Sequence, residues 1–273
     1  MADNAQQIEY WNGDVGARWA RLQETMDASL AAISGRLFAF AAVKPGEVVL
    51  DVGCGCGTTS LELARAGAKV DGADISVPML TVARARAKAA ALDIDFVEAD
   101  ASSFDFPPDY DLIFSRFGVM FFDAPQMAFA NLRKALAPGG RIAFVCWRSA
   151  KENDWARVPM EAAKDLVPPQ PPADPHAPGP FAFADNVRLA VILTEAGFDT
   201  VSIEKLDSTM YMGADLDAAA EQALSIGPLA RAATGLDETA RDGIRKVVRD
   251  ALAPYETPDG ITPAAACWLV SAS

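Results

Sequence analysis

The sequence predicts an α/β protein with a doubly wound, mostly parallel sheet of seven strands, and three observations support this fold class. Short apolar segments alternate with helical patterns from residue 47 to residue 147, as in sheets joined by right-handed crossovers. Val48–Leu50 is continuously apolar, which is typical of a parallel strand covered on both faces. A turn with glycines at 53, 55 and 57 follows this strand and precedes a helix. In open α/β sheets, such a turn forms part of the ligand-binding edge.

The hydrophobic periodicity predicts each element in order. Apolar side chains recur at spacings of three and four across residues 17–42, which predicts a long helix that Lys44-Pro45-Gly46 ends. The predicted strands are 47–52, 69–74, 94–99, 110–115, 141–147, 201–206 and 265–270. The predicted helices after the first are 58–65, 77–92, 125–136, 151–167, 185–196, 215–225 and 237–252. Pro138-Gly139-Gly140 predicts a turn, and Gly197 predicts a helix C-cap.

Composition and charge exclude several classes of protein. The 24 basic and 37 acidic residues give a net charge of −13, which argues against a surface that binds nucleic acid. No apolar run predicts a membrane span, and the first residues do not resemble a signal peptide, so we expect a cytoplasmic protein. The four cysteines form no CxxC pair and the sole histidine is His176, so no metal site is expected.

The glycine-rich turn, Asp51-Val52-Gly53-Cys54-Gly55-Cys56-Gly57, is the most informative segment. A dinucleotide fingerprint needs G-x-G-x-x-G, but Thr58 or Ser60 stands where the third glycine is required. A phosphate-binding P-loop needs a lysine that is also missing. The turn is therefore not built for a pyrophosphate, which argues against a nicotinamide dehydrogenase.

Five motifs in order resemble those of class I S-adenosylmethionine-dependent methyltransferases, in particular the small-molecule enzymes of the type 11 and type 25 groups. They are Asp51–Gly57, Asp71–Ser76, Glu98–Ala101, Tyr110–Ser115 and Leu136–Arg141. The resemblance is close over residues 45–150 and looser beyond them. It implies a Rossmann-like methyltransferase fold that uses S-adenosyl-L-methionine and releases S-adenosyl-L-homocysteine. It also implies a single domain, with a helical lid over 1–44, a cofactor-binding core over 45–150 and completion of the sheet over 151–273. Two insertions, 151–183 and 212–260, are expected to cover the substrate.

The resemblance assigns candidate roles residue by residue. The cofactor-binding candidates are Trp11, Trp19, Asp51, Gly53, Cys54, Gly55, Gly57, Asp74, Ile75, Met79, Asp100, Ala101 and Ser115. Asp74 ends a strand about twenty residues after the glycines, where a carboxylate accepts ribose hydroxyls. Asp100 is either an adenine ligand or a helix N-cap, and Ile75 and Met79 either sandwich the adenine or belong to the core. Trp11 and Trp19 either cover the sulfonium or dock the N-terminal helix on the sheet.

The substrate is harder to predict than the cofactor. The substrate-binding candidates are Arg116, Phe117, Met120, Trp147 and Phe181, with Phe121, Phe122, Phe183 and Arg148 nearby in the pattern. They suit a small, partly apolar and anionic acceptor, although packing roles remain open. No catalytic base stands out, since His176 lies in the proline-rich segment Pro168–Pro180, which is predicted to be an ordered, extended loop.

Three functions remain open on the sequence alone. Methylation of a small molecule leads, because of the motif series, the acidic composition and the lid-like insertions. Motifs for amino-methylation of adenine and for attack on cytosine are missing after the fourth strand. A protein or RNA methyltransferase is the second, and a cofactor-binding module without methyl transfer is the third. The oligomeric state is not predicted.

Overall fold

A seven-stranded sheet forms the centre of the molecule, for which a computed structural model describes residues 4–170 and 174–273. Its strands are β1 (Val48–Val52), β2 (Lys69–Asp74), β3 (Ile94–Glu98), β4 (Tyr110–Arg116), β5 (Leu136–Trp147), β6 (Val201–Thr209) and β9 (Ala264–Ala272). The strand order is β3-β2-β1-β4-β5-β9-β6; β9 pairs antiparallel with both β5 and β6, and the other pairs are parallel. The order reverses between β1 and β4, and this switch point opens a crevice at the carboxyl ends of the strands. The predicted fold class is confirmed.

Helices cover both faces of the sheet and one end of it. They are α1 (Ala5–Asn12), α2 (Asp14–Arg21), α3 (Gln23–Ala41), α4 (Thr58–Arg65), α5 (Val77–Ala89), α6 (Pro125–Lys134), α7 (Asp154–Ala162), α8 (Asn186–Glu195), α9 (Leu216–Ser225), α10 (Pro228–Ala232) and α11 (Glu238–Leu252). The core lies where β1, β4 and β5 meet α3 and α6. Phe38 of α3 stacks on Phe114 of β4 with ring centroids 5.2 Å apart, and both faces of these strands are buried.

The single helix predicted over residues 17–42 is wrong at its start, because three helices occupy residues 5–41. The backbone leaves the helical region at Gly13, with φ −85° and ψ −155°, and α1 then folds back against α2. Gly16 allows this close contact, since a Cβ there would lie 1.8 Å from the carbonyl oxygen of Trp11. Helix α3 ends where Ala42 adopts a left-handed conformation, close to the predicted boundary.

The late chain departs from prediction more than the core does. Helix α7 ends at Ala162 rather than at residue 167, α10 was not predicted, and a short hairpin joins β7 (Glu256–Thr257) to β8 (Gly260–Ile261). Strand β5 begins at Leu136, so the turn predicted at Pro138–Gly140 lies within its irregular first half. Gly197 has φ +97° just after α8, which confirms the predicted cap. Residues 168–170 and 174–180 form coil and turns, and residues 171–173 of the predicted loop lie outside the described residues.

Membrane-spanning helices and clustered metal ligands are both absent from the described residues. No helix within residues 4–170 and 174–273 is both long and apolar enough to cross a membrane. The same residues hold no group of three or more histidine, cysteine or acidic side chains placed to bind a metal ion.

Candidate active site

A cavity of about 660 Å³ lies over the carboxyl ends of β1, β2, β4 and β5. Val52, Asp74, Arg116 and Trp147, which end these four strands, all line it. Residues of α1, α2 and α3 form one wall, and residues of α7 and α10 form another. The cavity therefore occupies the crevice that the strand order creates, and it is enclosed by the N-terminal helices and the late-chain segments.

The glycine turn forms the floor of one end of the cavity. Gly53 and Gly55 have φ of +69° and +56°, values that side-chain-bearing residues rarely adopt. A Cβ at Gly53 would lie 2.6 Å from the Cα of Gly118, and a Cβ at Gly55 would lie 2.7 Å from the Cε of Met79. The turn thus needs glycine both for its backbone conformation and for the close approach of its neighbours.

Asp74 joins the end of β2 to this turn. Its Oδ2 accepts a hydrogen bond from the backbone N–H of Gly55 at 2.8 Å, and its Oδ1 accepts one from the N–H of Ser76 at 2.8 Å. Burial raises the pKa of the Asp74 carboxyl above its usual range, although both backbone N–H groups act in the opposite direction. Each oxygen keeps a second lone pair, so the carboxylate remains able to accept hydrogen bonds from a ligand in the cavity.

Asp51 lies behind the turn, fully buried, and does not line the cavity. Its Oδ2 accepts hydrogen bonds from the hydroxyls of Thr59 at 2.7 Å and Ser60 at 2.6 Å, whereas its Oδ1 has no hydrogen-bond partner. Burial raises the pKa of this carboxyl to about 6. A buried acceptor without a donor is uncommon in proteins, and its place beside the glycine turn suits a cationic ligand group.

Two other cofactor-binding candidates have structural partners of their own. Asp100 lines the cavity, but its Oδ1 already accepts hydrogen bonds from the N–H of Ser102 and the side-chain amide of Asn4. Ser115 is buried behind the wall, where its hydroxyl donates to the carbonyl oxygen of Val52 at 2.7 Å. The helix N-cap considered for Asp100 is wrong, because the residues after it form a turn rather than a helix; its carboxylate accepts a hydrogen bond within that turn and also lines the cavity.

The N-terminal helices are held over the cavity by contacts with the segment after β2. The side-chain amide of Asn12 donates to the carbonyl oxygen of Ile75 at 2.8 Å, and its carbonyl oxygen accepts from the N–H of Val77. The Ser76 hydroxyl donates to the carbonyl oxygen of Trp11. Trp11 then packs edge to face against Trp19, with ring centroids 5.8 Å apart, and both line the cavity.

A wall of four aromatic rings forms the other end of the cavity. Phe117 stacks on Trp147 at 4.2 Å with 10° between the ring planes. Trp147 contacts Trp155 at 4.9 Å, and Trp155 faces Phe181 at 6.3 Å. Phe117 has φ +64°, a strained conformation for a bulky side chain that occurs mainly at functional sites. Trp155 of α7 was not among the sequence candidates, although its aromatic character in a predicted insertion was the available signal.

Arg116, at the end of β4, lines the cavity and donates to the hydroxyl of Ser34 on α3 at 2.8 Å. Arg148, the other arginine considered for the substrate, is elsewhere: it pairs with Asp207 and Glu152 and covers Trp268, outside the cavity lining. The prediction that Arg148 lines the substrate pocket is wrong, because its side chain points toward β6, where it pairs with Asp207. Phe183 also lies outside the cavity lining and packs in the core against Phe129.

Most of the sequence candidates meet in this one cavity. Those that line it are Trp11, Trp19, Gly53, Cys54, Gly55, Asp74, Ile75, Met79, Asp100, Ala101, Arg116, Phe117, Met120, Phe121, Phe122, Trp147 and Phe181. Asp51, Gly57 and Ser115 do not line it. The lining residues that the sequence did not indicate include Asn4, Gln23, Met26, Asp27, Leu30, Trp155, Arg157, Met160, Glu161, Met210 and Arg231.

Neither of the two cysteines that line the cavity is activated as a nucleophile. Burial raises the pKa of Cys56 to about 11 and that of Cys54 well above its usual value, so both thiols are neutral. His176 is exposed and lies outside the cavity lining. The geometry therefore fits chemistry that depends on orientation rather than on a protein nucleophile.

Residues 49–140 match the family model described as a methyltransferase domain, and this span contains the glycine turn, Asp74 and Asp100. Over these residues, which are about a third of the chain, the sequence is similar to methyltransferase domains.

Two curated relatives align with part of the chain. An uncharacterized protein of Mycobacterium tuberculosis is 36% identical over 130 residues, which are 47% of this chain and 46% of the relative. A demethylmenaquinone methyltransferase of Clavibacter sepedonicus is 38% identical over 98 residues, which are 36% of this chain and 40% of the relative. The chain thus spans less than half the length of these relatives.

A similar solved structure extends the likeness of the fold to the whole chain. Phosphoethanolamine N-methyltransferase 2 of Haemonchus contortus, in complex with phosphomonomethylethanolamine and S-adenosylhomocysteine, has a TM-score of 0.61 at 16% identity. The match covers 100% of this chain and 61% of that chain. At this identity the likeness concerns the fold alone.

Proposed function

We propose that this protein binds S-adenosylmethionine in the cavity and transfers its methyl group to a small-molecule acceptor. The observation that carries the proposal is the composition of one continuous cavity. Its first end joins the glycine turn to Asp74 and Asp100, and its second end is an aromatic wall. In this proposal residues 1–44 act as a lid, residues 45–150 hold the cofactor, and residues 151–273 complete the sheet and cover the acceptor.

The residues at the first end fit the parts of the cofactor. Asp74 has lone pairs for the ribose hydroxyls, and Ile75 and Met79 offer apolar contact to the adenine ring. Asp100 and Ala101 lie on the same side of the cavity, within reach of the adenine edge in this placement. The orphaned Oδ1 of Asp51, near Gly53 and Ser115, supplies negative charge beneath the amino group of the methionine part.

The cofactor, when bound, supplies a methyl group already activated on a sulfonium. The chain then needs only to align the acceptor and exclude water, and orientation alone accounts for a large part of such rate enhancements. Trp11 and Trp19 close the cavity on one side, and their faces suit a nearby cation. Acceptors that carry their own nucleophilic atom need no general base from the chain.

The shape and charge of the cavity favour a small acceptor over a macromolecule. A volume of about 660 Å³ lies within the range of sites for small ligands, and part of it is assigned here to the cofactor. The net charge of −13 disfavours RNA, whose phosphates bind clustered basic side chains. One of the two relatives and the similar structure act, by their names, on demethylmenaquinone and on phosphoethanolamine, which are both small molecules.

Titration calorimetry with S-adenosylmethionine, S-adenosylhomocysteine and NAD tests the cofactor first. We expect micromolar binding of the first two ligands and none of NAD, because the glycine spacing does not suit a pyrophosphate. A folded sample that binds neither sulfur-containing ligand would overturn the proposal. Tight binding with no transfer of labelled methyl to a broad set of small acceptors would instead favour a binding module.

A further inference from the structure

Charged side chains of both signs line the cavity, but they differ in how many have an ion-pair partner. Four carboxylates line the cavity: Asp27, Asp74, Asp100 and Glu161. Asp27 pairs with Arg86 at 2.8 Å, and Glu161 pairs at 2.7 Å with Arg157, which it shares with Asp154. The other two, Asp74 and Asp100, lie at the end assigned to the cofactor. Each carboxylate of the cavity lining outside that end therefore already has an arginine partner.

The cations that line the cavity show the opposite arrangement. Arg116, Lys151 and Arg231 all line it, and none has a carboxylate oxygen within 4.0 Å among the described residues. Arg231 lies over the ring of Tyr10, 5.8 Å from its centroid, which leaves its charge formally unpaired. Arg116 is also under the influence of three more distant carboxylates, those of Asp27, Asp51 and Glu62. Three cations without an ion pair around one cavity nevertheless favour anions there, in a protein with a net charge of −13.

Arg116 is the cation best placed to bind a ligand group. Its one hydrogen bond to a protein atom goes to the Ser34 hydroxyl, although a guanidinium carries five N–H donors. Its free nitrogens are not sealed in the core, since the unpartnered buried side-chain atoms of the described residues belong to Asn4, Gln7, Asp51 and Arg148. Burial also lowers the pKa of the guanidinium, whose charge nevertheless persists at neutral pH.

The aromatic wall begins at the next residue. Phe117 is held at φ +64° and stacks flat on Trp147. Strain of this kind costs stability, and it is commonly retained where a side chain must point into a site. Trp155 and Phe181 continue the wall, so an acceptor beside Arg116 meets apolar ring faces over most of its surface.

We propose that the methyl acceptor is a small ring-bearing anion whose acidic group binds Arg116 and whose ring packs against Phe117, Trp147 and Trp155. This inference rests on the proposed function and names the substrate class of the same cavity. A carboxylate matches the planar fork of a guanidinium and compensates its buried charge. A cationic amine would leave Arg116 unpaired and would add a second positive charge beside it.

Three probes with one ring system and different charges test this class. Titration calorimetry of the complex with saturating S-adenosylhomocysteine would use 2-naphthoate, the neutral 2-naphthamide and the cationic 2-naphthylmethylamine. We expect 2-naphthoate to bind at least about tenfold more tightly than the other two, as charge-assisted hydrogen bonds predict. Equal binding of the acid and the amide, or tighter binding of the amine, would overturn the inference.

Variants of Arg116 assign the preference to this residue. Arg116→Gln is expected to abolish the preference for the acid, and Arg116→Lys to keep part of it. Arg65→Gln is the control, because Arg65 is exposed on α4 outside the cavity and its loss changes the net charge equally. Thermal unfolding of each variant checks that it folds, and a preference that persists in a folded Arg116→Gln variant would contradict the inference.

The cofactor itself contains a carboxylate, which could also bind Arg116. The affinity of an Arg116 variant for the cofactor product separates this possibility from binding of the acceptor. Arg116→Gln is expected to change the affinity for S-adenosylhomocysteine by less than about threefold, since the acceptor is the proposed partner. If that affinity falls about tenfold or more while binding of 5′-methylthioadenosine, which lacks the amino-acid part, is unchanged, Arg116 serves the cofactor and the inference is wrong. Failure of the wild-type protein to bind S-adenosylhomocysteine would instead refute the proposed function, and 2-naphthoate would then be titrated without it.

Discussion

The two ends of the cavity are built in different ways. The cofactor end consists of Gly53, Gly55, Asp74, Met79 and Asp100, all within one run of the chain, and its key contacts use backbone N–H groups and absent side chains. The acceptor end, Arg116 with the rings of Phe117, Trp147, Trp155 and Phe181, consists of side chains from four separate segments. Backbone geometry tolerates few substitutions, whereas side chains on separate segments are replaceable one at a time. Under the proposed function, the first end would therefore constrain which cofactor fits, whereas the second would be free to set the substrate.

The largest effect is expected for Asp74→Ala at the cofactor end. This change removes the proposed ribose acceptor and leaves the N–H groups of Gly55 and Ser76 without their partner. We expect the affinity for S-adenosylhomocysteine, measured by calorimetry, to fall at least about 100-fold. Asp95→Ala, at an exposed position of β3, is the matched control. Micromolar affinity retained in Asp74→Ala would remove the carboxylate from the proposed site.

Gly53→Ala and Gly46→Ala separate backbone strain from close approach. Both glycines have positive φ, +69° and +88°, but only at Gly53 would a Cβ collide with another backbone, whereas Gly46 has open space within 4 Å. Both variants should lose about 1–2 kcal/mol in the free energy of unfolding from left-handed strain. Only Gly53→Ala should also weaken binding of S-adenosylhomocysteine, by about tenfold or more, because the turn must shift. An equal effect of both variants on binding would show that the close packing of the turn does not matter.

Phe117→Gly tests whether the acceptor end is decoupled from the cofactor end. Glycine relieves about 1–2 kcal/mol of left-handed strain, which offsets part of the lost stacking on Trp147, itself worth about 0.5–1.5 kcal/mol. We expect methyl transfer to fall while the affinity for S-adenosylhomocysteine stays the same. Phe114→Ala, in the fully buried part of β4, should cost about 3–5 kcal/mol of unfolding free energy and serves for comparison. A loss of cofactor affinity in Phe117→Gly would mean that the two ends act as one unit.

The smallest effect concerns the protonation of Asp51 beneath the cofactor end. Its pKa in the folded protein is about 6 against an ordinary 3.8, so the folded state binds its proton more tightly than the unfolded state does. The resulting stabilisation is fully present below pH 3.8 and is lost as the pH rises through about 6. Asp51→Asn should remove this decrease, which denaturant unfolding of both proteins from pH 4 to pH 7 would measure. Identical pH profiles for the two proteins would contradict the raised pKa.

The same carboxyl also links cofactor binding to pH. A cationic amino group near Oδ1 would stabilise the ionised form, so binding should release a proton near pH 5 and strengthen as the pH rises to about 6. Calorimetry of S-adenosylhomocysteine binding in two buffers of different ionisation enthalpy would detect the released proton. Binding without proton release at this pH would place the amino group away from Asp51.

The sequence by itself determined the cofactor end of this protein. The strand that runs into the turn at 53–57, the carboxylate at Asp74 and the cap at Gly197 were all predictable, because each depends on residues within a few positions of one another. The alternation of strands and helices predicted the parallel sheet for the same reason. Local preferences act over one turn or one strand, and here they agree with the final fold.

Only the tertiary structure decided which side chains line the end of the cavity proposed for the acceptor. Trp155 joins Phe117 and Trp147 because the late-chain segments fold over the sheet, and Gly16 lets α1 return against α2, neither of which a local pattern reveals. Arg148 and Arg116 look alike in the sequence, yet contacts with Asp207 and Glu152 hold the first outside the cavity while the second stays unpaired on its wall. These outcomes depend on pairs of residues far apart in the chain, and their proximity follows from the strand order and the packing of helices rather than from any short segment.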